Sequence, residues 1–340
     1  MAPPQLPTRK LGKDGPAVTA LGFGAMGLSA FYGKPEPDEE RFKVLDRAYE
    51  LGEHFWDSAD IYQDNEDLIG KWFKRTGKRD EIFLATKFAN TMKDGQMTVK
   101  SDPEYVKEAC EKSLKRLGIP TIDLYYCHRL DGVTPVEKTV EAMAQLKKEG
   151  KIKHLGLSEV SSTSLRRAHK IHPISAVQIE YSPYALDIES PTIQLLKTCR
   201  ELGVATVAYS PLGRGMLTGL YTSPADFEEG DFRKYAPRFS EENFPKNLKL
   251  ADEIGALAKK KGCTAGQLTL AWLMAQGEDI IPIPGTKKIK YLDENVGALH
   301  VKLTEEENAA VRKAVEGAEI HGERYPPGMA ARLFSESPEL

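Results

Sequence analysis

Eight apolar runs recur along the chain, and each is followed by a stretch whose apolar residues fall at helical spacing. The runs are residues 18–24, 54–57, 82–87, 122–128, 152–157, 176–181, 204–210 and 279–284. The helical stretches are 38–52, 65–76, 103–117, 135–149, 162–171, 191–202, 247–261 with 264–276, and 287–297. Short strands that are almost wholly apolar are buried on both faces, and strict alternation with helices makes their sheet parallel. Eight such units close into a barrel. The predicted fold is therefore α/β: a single (β/α)8 TIM barrel, with residues 1–340 as one domain.

Local signals mark the boundaries. Val106, Ala109, Cys110, Leu114 and Leu117 form a helical stripe ended by Gly118. Thr134-Pro135 and Gly150 read as N-cap, first-turn proline and terminal glycine of the next helix, and Ser190-Pro191 with Gly203 repeats the device. Two stretches break the rhythm. Residues 9–18, with Lys13-Asp14-Gly15 at their centre, predict a hairpin ahead of the barrel. Residues 212–245, after the seventh strand, predict a long lid or binding loop. A C-terminal tail follows from about residue 318.

Charge and composition narrow the partners. Of 340 residues 41% are hydrophobic and 29% charged, an ordinary globular balance, and the net charge of −3 argues against nucleic acid. Lys259-Lys260-Lys261 reads as a solvated helix end. No apolar run approaches the length of a membrane span. Cys110, Cys127, Cys199 and Cys263 form no C-x-x-C pair, so no metal or disulfide framework is expected, and reduced thiols suit a cytoplasmic protein. The expected partner is a small-molecule carbonyl substrate. Nothing in the sequence sets an oligomeric state.

Three runs end in a polar residue: Asp57, Lys87 and His128. Tyr62 follows Asp57 in the loop Asp57-Ser-Ala-Asp-Ile-Tyr62. Barrels of this kind carry their chemistry at the carboxyl ends of the strands. When hydride reaches a carbonyl carbon, the oxygen needs a proton. A tyrosine can supply it if a nearby ammonium lowers its pKa. Lys87 is the candidate cation, Asp57 its holder, and neutral His128 an orienting group.

The later strands carry residues suited to a nicotinamide dinucleotide. Ser158 and Gln178 offer partners for a carboxamide, and Tyr209, followed by Ser210, offers a ring face. Leu212-Gly213-Arg214-Gly215 brings backbone N–H groups for a pyrophosphate. Gly285, Thr286, Lys287 and Lys288 follow the eighth strand, where barrels commonly bind phosphate at a helix start. Two lysines there predict NADPH over NADH. Gly22-Phe-Gly24-Ala-Met26-Gly27 matches a Rossmann fingerprint, but the helix that must follow it is absent until about Asp38. Those residues read instead as a barrel mouth where a ligand approaches closely, with Gly24 and Met26 among the cofactor positions.

On these motifs the chain resembles the aldo-keto reductase family over nearly its whole length. The carriers are Asp57-Ser-Ala-x-x-Tyr62, Lys87, Asp123-Leu-Tyr-Tyr-x-His128, Gly156-Leu-Ser158, Gln178, Tyr209-Ser210-Pro211-Leu212-Gly213 and Glu294-Asn295. The resemblance implies NADPH/NADP+ as cofactor and Tyr62 as general acid, with Lys87 and Asp57 tuning it and His128 orienting the carbonyl. It also implies that Glu294 and Asn295 hold the adenine. Members near aldose reductase read Pro-Lys-Ser and then Arg around the 2′-phosphate, whereas this chain has Gly285, Thr286 and Tyr291 there, and Glu159 in place of Asn. Lys287 is therefore assigned to the 2′-phosphate, with Arg214 and Arg238 as alternatives. His128-Arg129-x-Asp131 and Gly322-Glu-Arg-Tyr325 resemble the fungal and plant branch, near pyridoxal reductases and potassium-channel β-subunits. The implied activity is NADPH-dependent reduction of aldehydes and some ketones. A dedicated pyridoxal reductase and an NADPH-binding redox-sensing subunit are the alternatives.

Overall fold

The computed structural model describes residues 3–326 and 328–340. A hairpin comes first, β1 (Thr8–Lys10) and β2 (Ala17–Thr19). Eight parallel strands make the main sheet: β3 (Phe23–Gly24), β4 (Phe55–Asp57), β5 (Phe83–Phe88), β8 (Ile122–Cys127), β9 (Ile152–Ser158), β10 (Ala176–Glu180), β11 (Ala205–Tyr209) and β12 (Ile280–Pro282). A second hairpin, β6 (Asn90–Lys93) and β7 (Gln96–Val99), projects after β5. The helices are α1 (Asp38–Glu50), α2 (Asn65–Thr76), α3 (Pro103–Leu117), α4 (Val136–Lys148), α5 (Ser162–Ile171), α6 (Leu195–Leu202), α7 (Phe244–Lys261), α8 (Ala265–Met274), α9 (Ile289–Gly297) and α10 (Glu305–Gly317).

The sheet closes on itself. Gly22 N donates to Pro282 O at 2.9 Å and Gly24 N to Pro284 O at 3.1 Å, joining the first strand to the last. This seam explains glycines that the sequence reading assigned to ligand approach. A Cβ on Gly24 would lie 2.7 Å from Ile283 O, and one on Gly285 2.5 Å from Gly24 O. Backbone meets backbone there, and only glycine allows it.

Strand alternation then sorts the interior into layers. Phe55, Ala85, Leu124, Tyr126, Ala176, Ala205, Val207 and Ile281 fill the barrel. Leu11 and Val18 of the first hairpin join that cluster and close its amino-terminal end. Tyr126 needs the space left by Gly156, whose added Cβ would stand 2.3 Å from the phenol ring. Two residues beyond Phe55, Ala85 and Ala176, on the same face and nearer the carboxyl end, come Asp57, Lys87 and Gln178. Outside the strands, Trp56 meets Trp72 of α2 at 4.7 Å between centroids, both fully buried.

Several expectations change. The predicted strand 18–24 is two strands, because residues 17–19 pair with β1 instead of entering the barrel. Hairpin β6–β7 turns at Asp94-Gly95, both left-handed, the dipeptide that such two-residue turns favour. Helix α10 opens with a Thr304/Glu307 capping box, also readable in advance. Ser190-Pro191 does not start α6; Gln194 takes a left-handed conformation first, and the helix begins at Leu195. The long segment after β11 is four short 3-10 turns around a small core of its own. Phe227 meets Phe239 and Phe244, and the Arg233 guanidinium lies 4.1 Å over the Phe227 ring.

Helix α4 does not take its cap from Thr134. Ser337, from the C-terminal tail, accepts from Val136 N at 2.6 Å. The tail is fastened around it: Ser337 N donates to Ser164 Oγ, and Arg167 donates to Ser337 O and Pro338 O. Ser335 bonds both ways with the exit of β9, through Glu159 O and Ser161 N. Ser337→Ala removes the cap and should lower unfolding free energy by about 1 kcal/mol. Chemical denaturation reads this; an unchanged midpoint would mean that the tail does not cap α4.

Candidate active site

Lys87 lies on β5 and is fully buried. Its ammonium donates to the Asp57 carboxylate on β4 and to Ser58 O at 2.7 Å, and lies 3.5 Å from Tyr62 Oη. The Tyr62 loop is tightly held. Tyr62 N donates to Ala59 O and Asp60 N to Lys87 O, while Ser58 Oγ donates to Asn65 and Asn65 in turn reaches Ala25 O. His128, one residue past β8, is buried and meets the Tyr62 ring edge-on at 5.9 Å between centroids. Its Nδ1 is buried without a partner among the described residues. The structure brings all four predicted catalytic residues together.

Burial dominates their protonation. It pushes the Asp57 carboxyl up and the Lys87 ammonium down, and the contact between them opposes both shifts. Burial, then the Arg129 and Lys87 charges, hold His128 well below its usual value, so it is neutral. The Tyr62 hydroxyl is raised well above the usual tyrosine range by burial first and Asp57 second, with Arg129 opposing. This is opposite to the lowering by Lys87 expected from the sequence. Paired with Asp57, the ammonium contributes as a dipole rather than a free charge. Asp60 is also pushed up, to about 8, chiefly by burial.

The expected cofactor residues ring the same end of the barrel. Gln178 Nε2 donates to Asp57 at 2.7 Å, so the amide steadies the carboxylate. Ser158 Oγ accepts from Arg129 at 3.1 Å. Tyr209 donates to Glu159 at 2.6 Å and meets the Tyr325 hydroxyl at 3.0 Å. Met26 packs beside Tyr62. Ser210, Gly213, Arg214 and Gly215 all take positive φ. The amides of Gly213 and Gly215 donate inward, to Ser210 O and Leu212 O. Arg214 also turns inward, to Glu180 at 3.2 Å and Arg324 O at 2.9 Å. Leu212 packs toward α8. Glu294 accepts from Thr264 at 2.6 Å, and Asn295 is buried beside it.

The start of α9 is suited to an anion. It has no acidic residue in its first turn and no side-chain cap hydrogen bond, and Lys287, Lys288 and Lys290 surround it, with Lys288 and Lys290 exposed. Cations are unfavourable at a helix N-terminus unless a negative group joins them. Lys287 Nζ reaches across the seam to Tyr32 O at 2.7 Å and lies 3.6 Å from Glu228.

A buried charge cluster that no sequence motif singles out lies beside these residues. Glu180 ends β10 and faces Arg214, Arg324 at 3.4 Å and Arg238 at 3.9 Å. Glu159 faces Arg324 at 3.5 Å. Arg324 and Tyr325 belong to the Gly322-Glu-Arg-Tyr325 motif, so the motif is a plug that pins the tail at the barrel mouth.

A family model for the aldo/keto reductase family matches residues 20–316. The chain is 59% identical to the aldo-keto reductase str7 of Strobilurus tenacellus, covering 98% of this chain and 99% of that one. It is 52% identical to the aldo-keto reductase yakc [NADP(+)] of Schizosaccharomyces pombe, over 98% and 99%. Among solved structures, a glycerol dehydrogenase from Gluconobacter oxydans superposes with a TM-score of 0.81 at 25% identity, covering 92% of this chain and 96% of that one.

Proposed function

Because this chain belongs to the aldo/keto reductase family, we propose that it reduces aldehydes, and some ketones, to alcohols with NADPH, Tyr62 giving the proton. The observation that carries the reading is the buried Asp57–Lys87 pair with the Tyr62 hydroxyl 3.5 Å from its ammonium. A water-exposed lysine would need no such partner; a buried one is held charged for a purpose.

The residues present fit a dinucleotide phosphate. The buried cations at the mouth outnumber their carboxylates, and the start of α9 presents Lys288 and Lys290 without an ion-pair partner among the described residues, beside Lys287, which lies 3.6 Å from Glu228. NADPH, when bound, supplies the hydride. The chain's own residues do the rest. The Tyr62 hydroxyl protonates the carbonyl oxygen. Lys87 places its ammonium 3.5 Å from that hydroxyl and stays in place because Asp57 and Ser58 O hold it. His128, neutral and edge-on to the Tyr62 ring, orients the carbonyl oxygen. Lys287, Lys288, Glu294 and Asn295 would hold its adenosine end, and Ser158, Gln178 and Tyr209 its nicotinamide end.

A panel of aldehydes, pyridoxal included, assayed with NADPH and with NADH tests this. The expected result is turnover of several aldehydes with a strong preference for NADPH. Turnover of pyridoxal alone would narrow the enzyme to that substrate. Tight NADPH binding with turnover far below a usual kcat of about 10 per second would replace the reading with redox sensing.

A further inference from the structure

Arg129 follows the orienting histidine and is nine-tenths buried, with 9% of its surface exposed. Its Nη1 donates to His128 O at 2.6 Å and to Ser158 Oγ at 3.1 Å, both neutral acceptors. Among the described residues no carboxylate pairs with it. The two acids it could use are taken. Glu180 faces Arg214, Arg324 and Arg238, and Glu159 faces Arg324 and accepts from Tyr209. A guanidinium does not give up its proton, so burial cannot neutralise it. Glu159 supports that charge from a distance, but no carboxylate touches it, and a buried charge without a contacting partner is unfavourable.

The location of Arg129 suggests what completes it. The residues assigned to the cofactor phosphates lie after β11 and β12. Arg129 lies after β8, beside the proton donor, and its charge opposes the upward shift of the Tyr62 hydroxyl. Its Nε and Nη2 make no hydrogen bond among the described residues, and they are not sealed from solvent as Nη1 and Nη2 of Arg324 are. That leaves one edge of the planar fork open, the geometry that receives a carboxylate on two parallel hydrogen bonds.

We propose that Arg129 is the anion-recognition residue of the substrate pocket, and that the preferred substrates are carbonyl compounds carrying a carboxylate. This rests on the reductase reading given above. The pair that tests it is 4-carboxybenzaldehyde and its methyl ester, assayed with the full chain and NADPH. The acid should be favoured in kcat/KM by about tenfold or more, as one charge-assisted contact allows. Arg129→Gln should bring that ratio to about one, and Arg129→Lys should leave it between. Benzoate binding to the protein–NADPH complex, followed by calorimetry, supplies a readout without turnover and should weaken at least tenfold in Arg129→Gln.

A wild-type ratio near one overturns the proposal, and so does a loss in Arg129→Gln that is equal for acid and ester. Equal weakening of NADPH itself would assign the guanidinium to the cofactor and also overturn it. If neither aldehyde reacts but benzoate binding still depends on Arg129, the anion site stands and the reductase reading falls.

Discussion

Tyr62→Phe should lower kcat by about a thousandfold, equivalent to about 4 kcal/mol of barrier, while NADPH should still bind and quench its fluorescence as in the wild type. Only the hydroxyl is removed. The ring keeps its packing against Phe31, at 6.3 Å between centroids, and His128. Retained activity would remove Tyr62 from the role of donor. The pH profile adds a second reading. A donor works while protonated, so the rate is full below its pKa and is lost as pH rises through it. Burial and Asp57 place the Tyr62 hydroxyl above the usual tyrosine range. The wild-type rate should therefore stay level through pH 9 and decline only beyond about 10, the free tyrosine value. A fall centred near neutrality would point to another titrating group.

Lys87→Met should cost both activity and stability. Removing one partner of a buried pair leaves Asp57 buried with only the Gln178 amide to answer its charge, a loss of about 3–5 kcal/mol. In that variant Asp57 takes up a proton in the folded state, so its folded pKa stands above its unfolded one. Stability is then best at low pH and is lost as pH rises from the unfolded carboxylate value toward the folded one. The drop in Tm should accordingly be larger at pH 8 than at pH 5. Adding Asp57→Asn should recover part of the stability but none of the turnover. A Lys87→Met protein as stable as wild type at pH 8 would show that the pair is not buried as described.

The catalytic residues were legible because strand alternation is strict. Once residues 55, 85 and 176 are read as inward, residues 57, 87 and 178 must follow on the same face, one layer higher. Tyr62 followed from its place in the next loop. The β6–β7 hairpin and α10 were equally readable, since Asp94-Gly95 and Thr304-x-x-Glu307 are local signals. What local pattern does not hold is long-range partnership. Nothing around Val136 says that Ser337 will cap it, and nothing around Glu159 or Glu180 names Arg324. Gly24 and Gly285 were read as neighbours of a ligand because a strand-end glycine looks the same whether it admits a ligand or another strand.

The fastening of residues 335–338 also bears on the order in which the molecule can be completed during synthesis. The start of α4 waits for a hydroxyl made 201 residues after Val136, and the exit of β9 waits for Ser335. While those residues are still inside the ribosomal exit tunnel, the start of α4 and the barrel mouth beside it lack their final contacts. The nascent barrel must be held in that incomplete form, exposed to chaperones and proteases, until residues 335–338 emerge.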